Sequence, residues 1–418
     1  MLLMIGLATA WTFEGAAAGR SVAQLFADIV ENGDNVVGAE LAVEVAEELL
    51  REEGKLEAPA FVQDIDDPDP AAAAGVLHAF SEWMAKHNKV WRSTEEMAQR
   101  LEAFAHNLRY IKDRNKQLQE EGASYQLGLN SFAHLSFEEF RQAFLQDGGY
   151  VDHAGRRNVG GSYIELPGSK GRSHFLYENA TDIPPSVDWR ERGAVVSAVK
   201  DQGQCGNCWA FATVATVESA HQIATGELVS LSEQELVDCD RAYNQGCNGG
   251  LPDYAYTFII NNGGLDAESH YRYTARRGRC NRRKMKVHAA SIADYQDVPA
   301  SDERALLKAV AHQPVSVAID ASSRDFQLYQ GGVFSASCGK SLNHAVVVVG
   351  YGYTTIDDGS QEVDEEFWVV RNSWGSGWGE AGYVRMQRGS NDPDGLCGIN
   401  MEPSFPIVHT TSALISIE

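Results

Sequence analysis

Gln202-Gly203-Gln204-Cys205-Gly206-Asn207-Cys208-Trp209-Ala210-Phe211 sets a glycine-punctuated turn directly ahead of Trp209 to Ala224, a stretch with neither glycine nor proline. Gly226 follows, so the stretch reads as a helix with a C-terminal glycine stop. Asn207 is a preferred N-cap type, expected to cap this helix. Cys208 is then its first residue, with the thiol at the positive end of the macrodipole. That position favours the thiolate, the nucleophilic form, and a nearby imidazolium lowers a thiol pKa further, to roughly 3.5 to 7.5.

A thiolate of this kind calls for a histidine. His344 stands just before the apolar run Ala345 to Val349, and Asn372 just after the run Phe367 to Val370. As neighbouring antiparallel strands the two runs bring His344 and Asn372 together, where the amide oxygen can orient the ring. Gln202, six residues before Cys208, can offer its amide with the Cys208 backbone N–H to the oxyanion of a tetrahedral intermediate. Trp374 can cover the pair and keep water off its hydrogen bond. Taken alone, Cys205 and Cys208 fit a redox or zinc element as well. Zinc wants a second close pair of ligands, and the spacing of Cys239 and Cys247 is wrong for one.

The chain has 418 residues, 44% of them hydrophobic, enough for a large core in two or three domains. Its formal charge of −23 argues against nucleic acid and anionic membrane as partners. No apolar run reaches the length of a spanning helix. Met1 to Ala10 are apolar and Ala16 to Gly19 small, like a signal peptide without its basic n-region. Asp28 to Asp69 is acidic, with helix-like spacing at Ala39 to Leu50, and Asp66 to Ala74 reads as a linker. All 7 cysteines lie from Cys205 onward; in an oxidising compartment six pair and one stays free, in the cytosol all are reduced. The sequon Asn179-Ala180-Thr181 favours the secretory route.

Val76 to Phe144 has a helical pattern. Glu96, Arg100, Phe104, Asn107, Ile111 and Asn115 form one stripe of a single helix, unusual in mixing charge, amide and apolar groups. Tyr125 to Phe132 alternates like a strand, Ser136 with Glu139 makes a capping box, and Gly148 to Lys170 reads as a linker. From Ile183 onward the chain is a separate unit, with a second capping box at Ser232 and Glu235 and buried strands at Val315 to Ile319, Ala345 to Val349 and Phe367 to Val370. Helices precede strands, an α+β arrangement. The acidic run Asp357 to Glu366 is expected to be a solvated hairpin loop, and the basic run Arg276 to Lys286 exposed surface.

These residues resemble the papain-like cysteine proteases. The Gln202 to Phe211 segment matches the family's active-site segment, and Gly246-Cys247-Asn248-Gly249-Gly250, Asn343-His344-Ala345-Val346 and Arg371-Asn372-Ser373-Trp374-Gly375 through Gly377-Trp378-Gly379-Glu380 agree in order and spacing. The resemblance implies a two-lobed fold, a helical lobe with Cys208 and a β-barrel-like lobe with His344 and Asn372, the cleft between them. It assigns Cys208 as nucleophile, His344 as general base and acid, Asn372 as orienter and Gln202 as oxyanion donor. It also implies disulfides joining Cys205 with Cys247, Cys239 with Cys280 and Cys338 with Cys397. Where the family has serine before the nucleophile, this chain has Asn207.

The stripe looks like the ERFNIN motif of the family's inhibitory propeptide. Gly128, Asn130 and Phe132 resemble its second motif, with His134 where an aspartate is usual; a histidine titrates nearer neutrality. The implied division is a candidate signal peptide at 1–19, an acidic extension and linker at 20–75, an inhibitory propeptide at 76–145, a linker at 146–182 and a peptidase domain at 183–418. Substrate binding falls to Gly249, Gly250 and Trp374, with a P2 pocket lined by Leu251, Pro252, Ala318, Ala345 and, at its floor, Glu402. A carboxylate there implies tolerance of P2 Arg beside apolar P2 side chains. The implied partners are protein and peptide substrates, the chain's own propeptide and cystatin-type inhibitors. The implied state is a monomer without metal or organic cofactor, in a lysosome, vacuole or outside the cell. The competing readings are a catalytically silent binding or storage protein and a thiol oxidoreductase, which needs both thiols of the pair accessible.

Overall fold

The computed structural model describes residues 70–146, 156–159, 162–165, 174–357 and 362–408. The signal-peptide pattern at 1–19 and the helical spacing at Ala39 to Leu50 lie outside the described residues. Contacts divide the chain into one unit of residues 1–112 with 133–136 and another of 113–132 with 137–418.

In the first unit, helix α1 (Pro70–Lys86) and the opening of α2 (Thr94–Glu121) meet through aromatic rings. Phe104 is fully buried, its ring 5.1 Å from Phe80 and 5.5 Å from Trp83. The mixed stripe is explained by its amide: Asn107, buried, donates from Nδ2 to the carbonyls of Ala133 (2.9 Å) and Leu135 (2.8 Å). Those bonds hold a returning segment whose backbone would otherwise be left unpaired in the interior. His134, between them, stacks with Trp83 and Trp91 at 5.0 and 5.3 Å.

The second unit begins inside α2, where Asn115 and Leu127 exchange two hydrogen bonds of 2.9 Å. The strand expected over Tyr125 to Phe132 shrinks to β1 (Gln126–Leu127). Asn130 breaks it: its Oδ1 accepts from the Phe132 N–H, and its Nδ2 donates to the carbonyls of Gln327 (2.8 Å) and Tyr329 (3.1 Å). Helix α3 (Phe137–Phe144) opens directly after Ser136, as the sequence predicts. Within the expected linker, β2 (Arg156–Val159) and β3 (Ser162–Glu165) form an antiparallel hairpin.

After β4 (Val187–Asp188) come α4 (Cys208–Thr225), α5 (Glu233–Cys239) and α6 (Pro252–Asn262), which form a helical lobe around Trp209, Val214, Val217, Leu236, Tyr256 and Ile259. Then follow β5 (Asp294–Asp297), α7 (Glu303–His312), β6 (Val315–Ile319), α8 (Arg324–Gln327), β7 (Tyr329–Gly331), β8 (Val333–Phe334), β9 (His344–Asp357), β10 (Glu362–Arg371), β11 (Tyr383–Gln387) and β12 (Ser404–Ile407). The sheet lobe has the order β5-β12-β6-β9-β10-β11-β8, with β4 paired to β9 and β1 paired to β7 outside it. All three runs predicted as buried strands lie within β6, β9 and β10. Within the acidic run Asp357 to Glu366, Asp357 and residues 362–366 are strand rather than loop, because β9 and β10 stay paired out to Asp357 and Glu362.

Capping is only partly as expected. Gly226 ends α4 at φ +80°, and the Ser232 hydroxyl accepts from the Glu235 N–H at 3.1 Å. The Glu235 carboxylate does not return to its own cap; it accepts from Asn262 and from the Asp266 N–H. Asn207 sits at the cap of α4 without a side-chain cap bond, because Tyr273 donates its hydroxyl to Asn207 Oδ1. Disulfides join Cys205 to Cys247, Cys239 to Cys280 and Cys338 to Cys397, leaving the Cys208 thiol free.

Lys200 pairs with the buried Glu218 and Glu233 of the helical lobe, but two further carboxyls there have no cation beside them. Burial pushes Glu235 up to about 8 and Asp240 to about 7, and neither forms an ion pair among the described residues. A raised carboxyl pKa stabilises the fold fully below the unfolded value near 4, and that stabilisation is lost as pH rises through 7 to 8. The disulfide-intact protein is therefore expected to melt at a higher temperature at pH 5 than at pH 8, with Glu235→Gln narrowing the difference. A melting temperature that climbs from pH 5 to 8 contradicts this.

Candidate active site

Helix α4 and strand β9 meet at the cysteine. Cys208 is buried at the first position of α4, and its Sγ accepts from the Ala345 amide at 3.4 Å, placing the sulfur against the residue next to His344. His344 opens β9, and Asn372 follows the last residue of β10, whose Arg371 pairs with Val347. The antiparallel pairing brings the two side chains together as predicted: His344 Nε2 lies 2.8 Å from Asn372 Oδ1. With Nε2 engaged, Nδ1 is the ring nitrogen left for the thiol. Asn372 is itself oriented, since its Oδ1 also accepts from the Ser373 N–H at 2.7 Å.

Trp374 lies over the imidazole, ring centroids 4.5 Å apart and planes 23° from parallel. Its own edges are packed by Phe326 and Trp378 and, from the chain ahead of the hairpin, by Phe132, Phe140 and Phe144. Such ring pairs contribute about 0.5–1.5 kcal/mol each beyond their buried area. Gln202 is fully buried; its Oε1 accepts from Ser373 Oγ (2.6 Å) and its Nε2 donates to the Cys205 carbonyl (3.0 Å). A primary amide has two hydrogens, so one remains for a ligand.

Gln146 enters the site in a way the sequence did not reveal. Its backbone N–H donates to the Asn343 carbonyl at 2.9 Å, its Nε2 donates to Cys208 Sγ at 3.1 Å, and its Oε1 accepts from the Gly250 N–H at 3.4 Å. One residue thus engages the sulfur and two backbone groups at once. Gly249 holds φ +104°, and a Cβ at Gly250 would stand 2.4 Å from Asn244 Oδ1 and 2.8 Å from the Trp209 ring. Glycine is required at both positions, at Gly249 by its positive φ and at Gly250 by the close approach of Asn244 and Trp209. The signal for this plug was only partial: Phe137, Phe140 and Phe144 fall at helical spacing on one apolar face of α3, which aims the chain just beyond it.

The same segment is anchored upstream. Asp325, buried, receives Arg114 Nε at 3.0 Å and the Tyr125 hydroxyl at 2.8 Å, and Ser124 Oγ donates to Glu365 at 2.7 Å. Leu251, Pro252, Ala318 and Glu402, expected in the P2 pocket, do line one cavity, joined by Asp253, Val317 and Ser404. Ala345 lies along a separate interior cavity with Phe211, Val347 and Asn372, because its strand faces α4 at that point.

A free thiol at a helix N-terminus, against a strand whose histidine is held by an asparagine, defines a thiol-dependent hydrolase. The chain belongs to the papain family of cysteine proteases: the family described as "Papain family cysteine protease" matches residues 183–407, and the "Cathepsin propeptide inhibitor domain (I29)" matches residues 80–140. Cysteine protease XCP2 of Arabidopsis thaliana is 47% identical over 331 residues, 79% of this chain and 86% of that protein. KDEL-tailed cysteine endopeptidase CEP2 of the same plant is 46% identical over 352 residues, 84% and 91% of the two chains. The solved proform of Amb a 11, a ragweed pollen allergen and cysteine protease, is 40% identical with a TM-score of 0.69, covering 82% of this chain and 88% of that one. The protein is accordingly a cysteine endopeptidase synthesised as a zymogen with its own propeptide inhibitor.

Burial pushes the His344 imidazole down to about 4, partly offset by the bond to Asn372. A depressed histidine pKa keeps the ring neutral between about 4 and its ordinary 6.5, so no imidazolium stabilises the thiolate in this covered state. In a Cys208→Ser chain, NMR titration of His344 should give a pKa well below 6.5 in the full-length protein and a higher one after residues up to about 182 are removed. An unchanged value would contradict burial as the cause.

Proposed function

We propose that Cys208 is the nucleophile, His344 the general base and acid, Asn372 the group that orients the imidazole, and Gln202 with the Cys208 N–H the oxyanion donors. The observation that carries this reading is the Cys208 sulfur 3.4 Å from the Ala345 amide, beside the 2.8 Å His344–Asn372 bond. The thiolate attacks the scissile carbonyl carbon, and the negative charge passes to oxygen, where the two N–H donors receive it. The C–N bond breaks as His344 gives its proton to the leaving amine, which leaves a thioester. His344 then takes a proton from water, the hydroxide attacks the thioester, and the acid departs as the C–S bond breaks, which restores the thiolate beside a protonated His344.

Substrate chains bind along the Gly249 and Gly250 backbone and past Trp374, with P2 in the cavity of Leu251, Pro252, Ala318 and Glu402. P2 is apolar, with Arg also accepted through Glu402. The inhibitory segment spans 76–145, the linker 146–182 and the peptidase 183–418, with the maturation cut near Thr181 to Pro184. Gln146 acts as the plug of the zymogen. Residues 1–19 serve as a signal peptide and residues 20–75 as an extension. Asn179, exposed in its sequon, is a glycosylation site, and the enzyme travels the secretory route to a lysosome, vacuole or the exterior. The KDEL tail named for one relative supports this route, since that signal operates within it. The mature enzyme is a monomer open to cystatin-type inhibitors.

The processed protein is expected to hydrolyse peptides, and Cys208→Ala to abolish hydrolysis. Gln146→Ala, read as the initial rate of the unprocessed chain at neutral pH, should raise activity by roughly tenfold, the scale of one or two lost hydrogen bonds. Retained hydrolysis in Cys208→Ala, or an unchanged rate in Gln146→Ala, refutes the respective role.

A further inference from the structure

The cavity beside Gly250 holds a carboxylate that no motif announced. Leu251 and Pro252 follow directly on the glycine that bonds Gln146, and the next residue, Asp253, faces the same cavity as Val317, Ala318, Glu402 and Ser404. Asp253 lies in the first turn of α6, and the Ser404 hydroxyl bonds its carboxyl. Directly across the β5–β12 pairing from Ser404 stands Asp297. Asp253 thus lines the cavity, and Asp297 stands across the strand pair from its serine, at the exposed end of β5.

The groups around this pair are named element by element. From α6 come Asp253 and the Tyr256 hydroxyl, from β5 Asp297, Tyr295 and Asp294, from β12 and the loop before it Ser404 and Glu402, and from β6 Ser316. None is cationic, and no lysine or arginine pairs with Asp253 or Asp297 among the described residues. Burial pushes Asp253 up to about 8, with Asp297 raising it further, and partial loss of hydration raises the Asp297 carboxyl to about 6 although the residue as a whole is exposed.

We propose that Asp253 is a second P2-specificity residue, and that with Asp297 across the strand pair the preference for a cationic over an apolar P2 side chain grows with pH. The proposal rests on the protease reading and adds a residue and a direction to its P2 pocket. In acid both aspartates hold their protons, and the cavity offers an apolar side chain a neutral wall of Leu251, Pro252, Val317 and Ala318. As pH rises Asp253 ionises next to Glu402, and an arginine or lysine side chain gains a partner that leucine cannot use. The two carboxyls disfavour each other's charge, which spreads the change over several pH units.

The test measures kcat/KM for two peptides that differ only in P2, Arg against Leu, from pH 5.5 to 8. Taking the Arg/Leu ratio removes the pH dependence of the catalytic groups, which both peptides share. In the processed enzyme the ratio should rise by roughly tenfold across this range, the scale of one charge-assisted hydrogen bond. Asp253→Asn should flatten the rise, and Glu402→Gln should lower the ratio yet keep its slope. Asp297→Asn, which removes the neighbouring charge and leaves Asp253 in place, should move the rise to lower pH. A wild-type ratio flat with pH, or variants at both aspartates that follow the wild-type curve, overturns the proposal alone. A processed wild-type protein that cleaves neither peptide overturns the protease reading, and this proposal with it.

Discussion

The contact between the Cys208 sulfur and the Ala345 amide is the constraint on which the site depends. It fixes the N-terminus of α4 against the start of β9, so that the helix bearing the thiol and the strand bearing the imidazole meet at their first residues. The rest of the site is set by the strands and turns attached to those two points. Because β9 and β10 pair antiparallel, the residue that leaves β10 must come beside the residue that enters β9, and Asn372 reaches His344 without further machinery. Trp374, two residues later, is carried onto the ring by the same turn.

The state described is the covered one, and its chemistry is suppressed by the same physics that prepares it. A thiolate at a helix N-terminus gains from the dipole, but its imidazolium partner must be hydrated or paired to exist. With Phe132, Phe140 and Phe144 packed on Trp374, and Gln146 donating to the sulfur, the imidazole is buried and neutral. Gln146 also bonds the Asn343 carbonyl and the Gly250 N–H on either side of the sulfur. Inhibition therefore combines occupation of the cleft with removal of the charge on which nucleophilicity depends. The anchor at Asp325, where Arg114 and Tyr125 converge, holds this segment from its other end.

Much of the site was legible because its chemistry is local or periodic. A glycine stop, a break-free helix and short β-branched runs gave α4 and β6 nearly to the residue and one stretch each of the longer β9 and β10, and the cysteine pairing followed from family resemblance. Several of the failures share a cause: side chains that chose a partner distant in sequence over a local one. Asn207 gave its oxygen to Tyr273 in place of capping α4, Glu235 reached Asn262 and Asp266, and Asn130 bonded the chain at Gln327 and Tyr329, ending a strand the alternation pattern implied. Gln146 and Asp253 were missed for the same reason, since nothing in their immediate neighbours tells where a glutamine or a helical aspartate will point.

The central claim is that the Cys208 thiol is ionised by its helix and by His344 once the cleft is open. Its most direct measure is the pH dependence of alkylation of Cys208 by iodoacetamide in the processed enzyme. The account predicts a thiolate pKa in the lowered range of roughly 3.5 to 7.5, moving upward in His344→Ala. A single titration near 8.5, the ordinary value for cysteine, and unaffected by loss of His344 would contradict it.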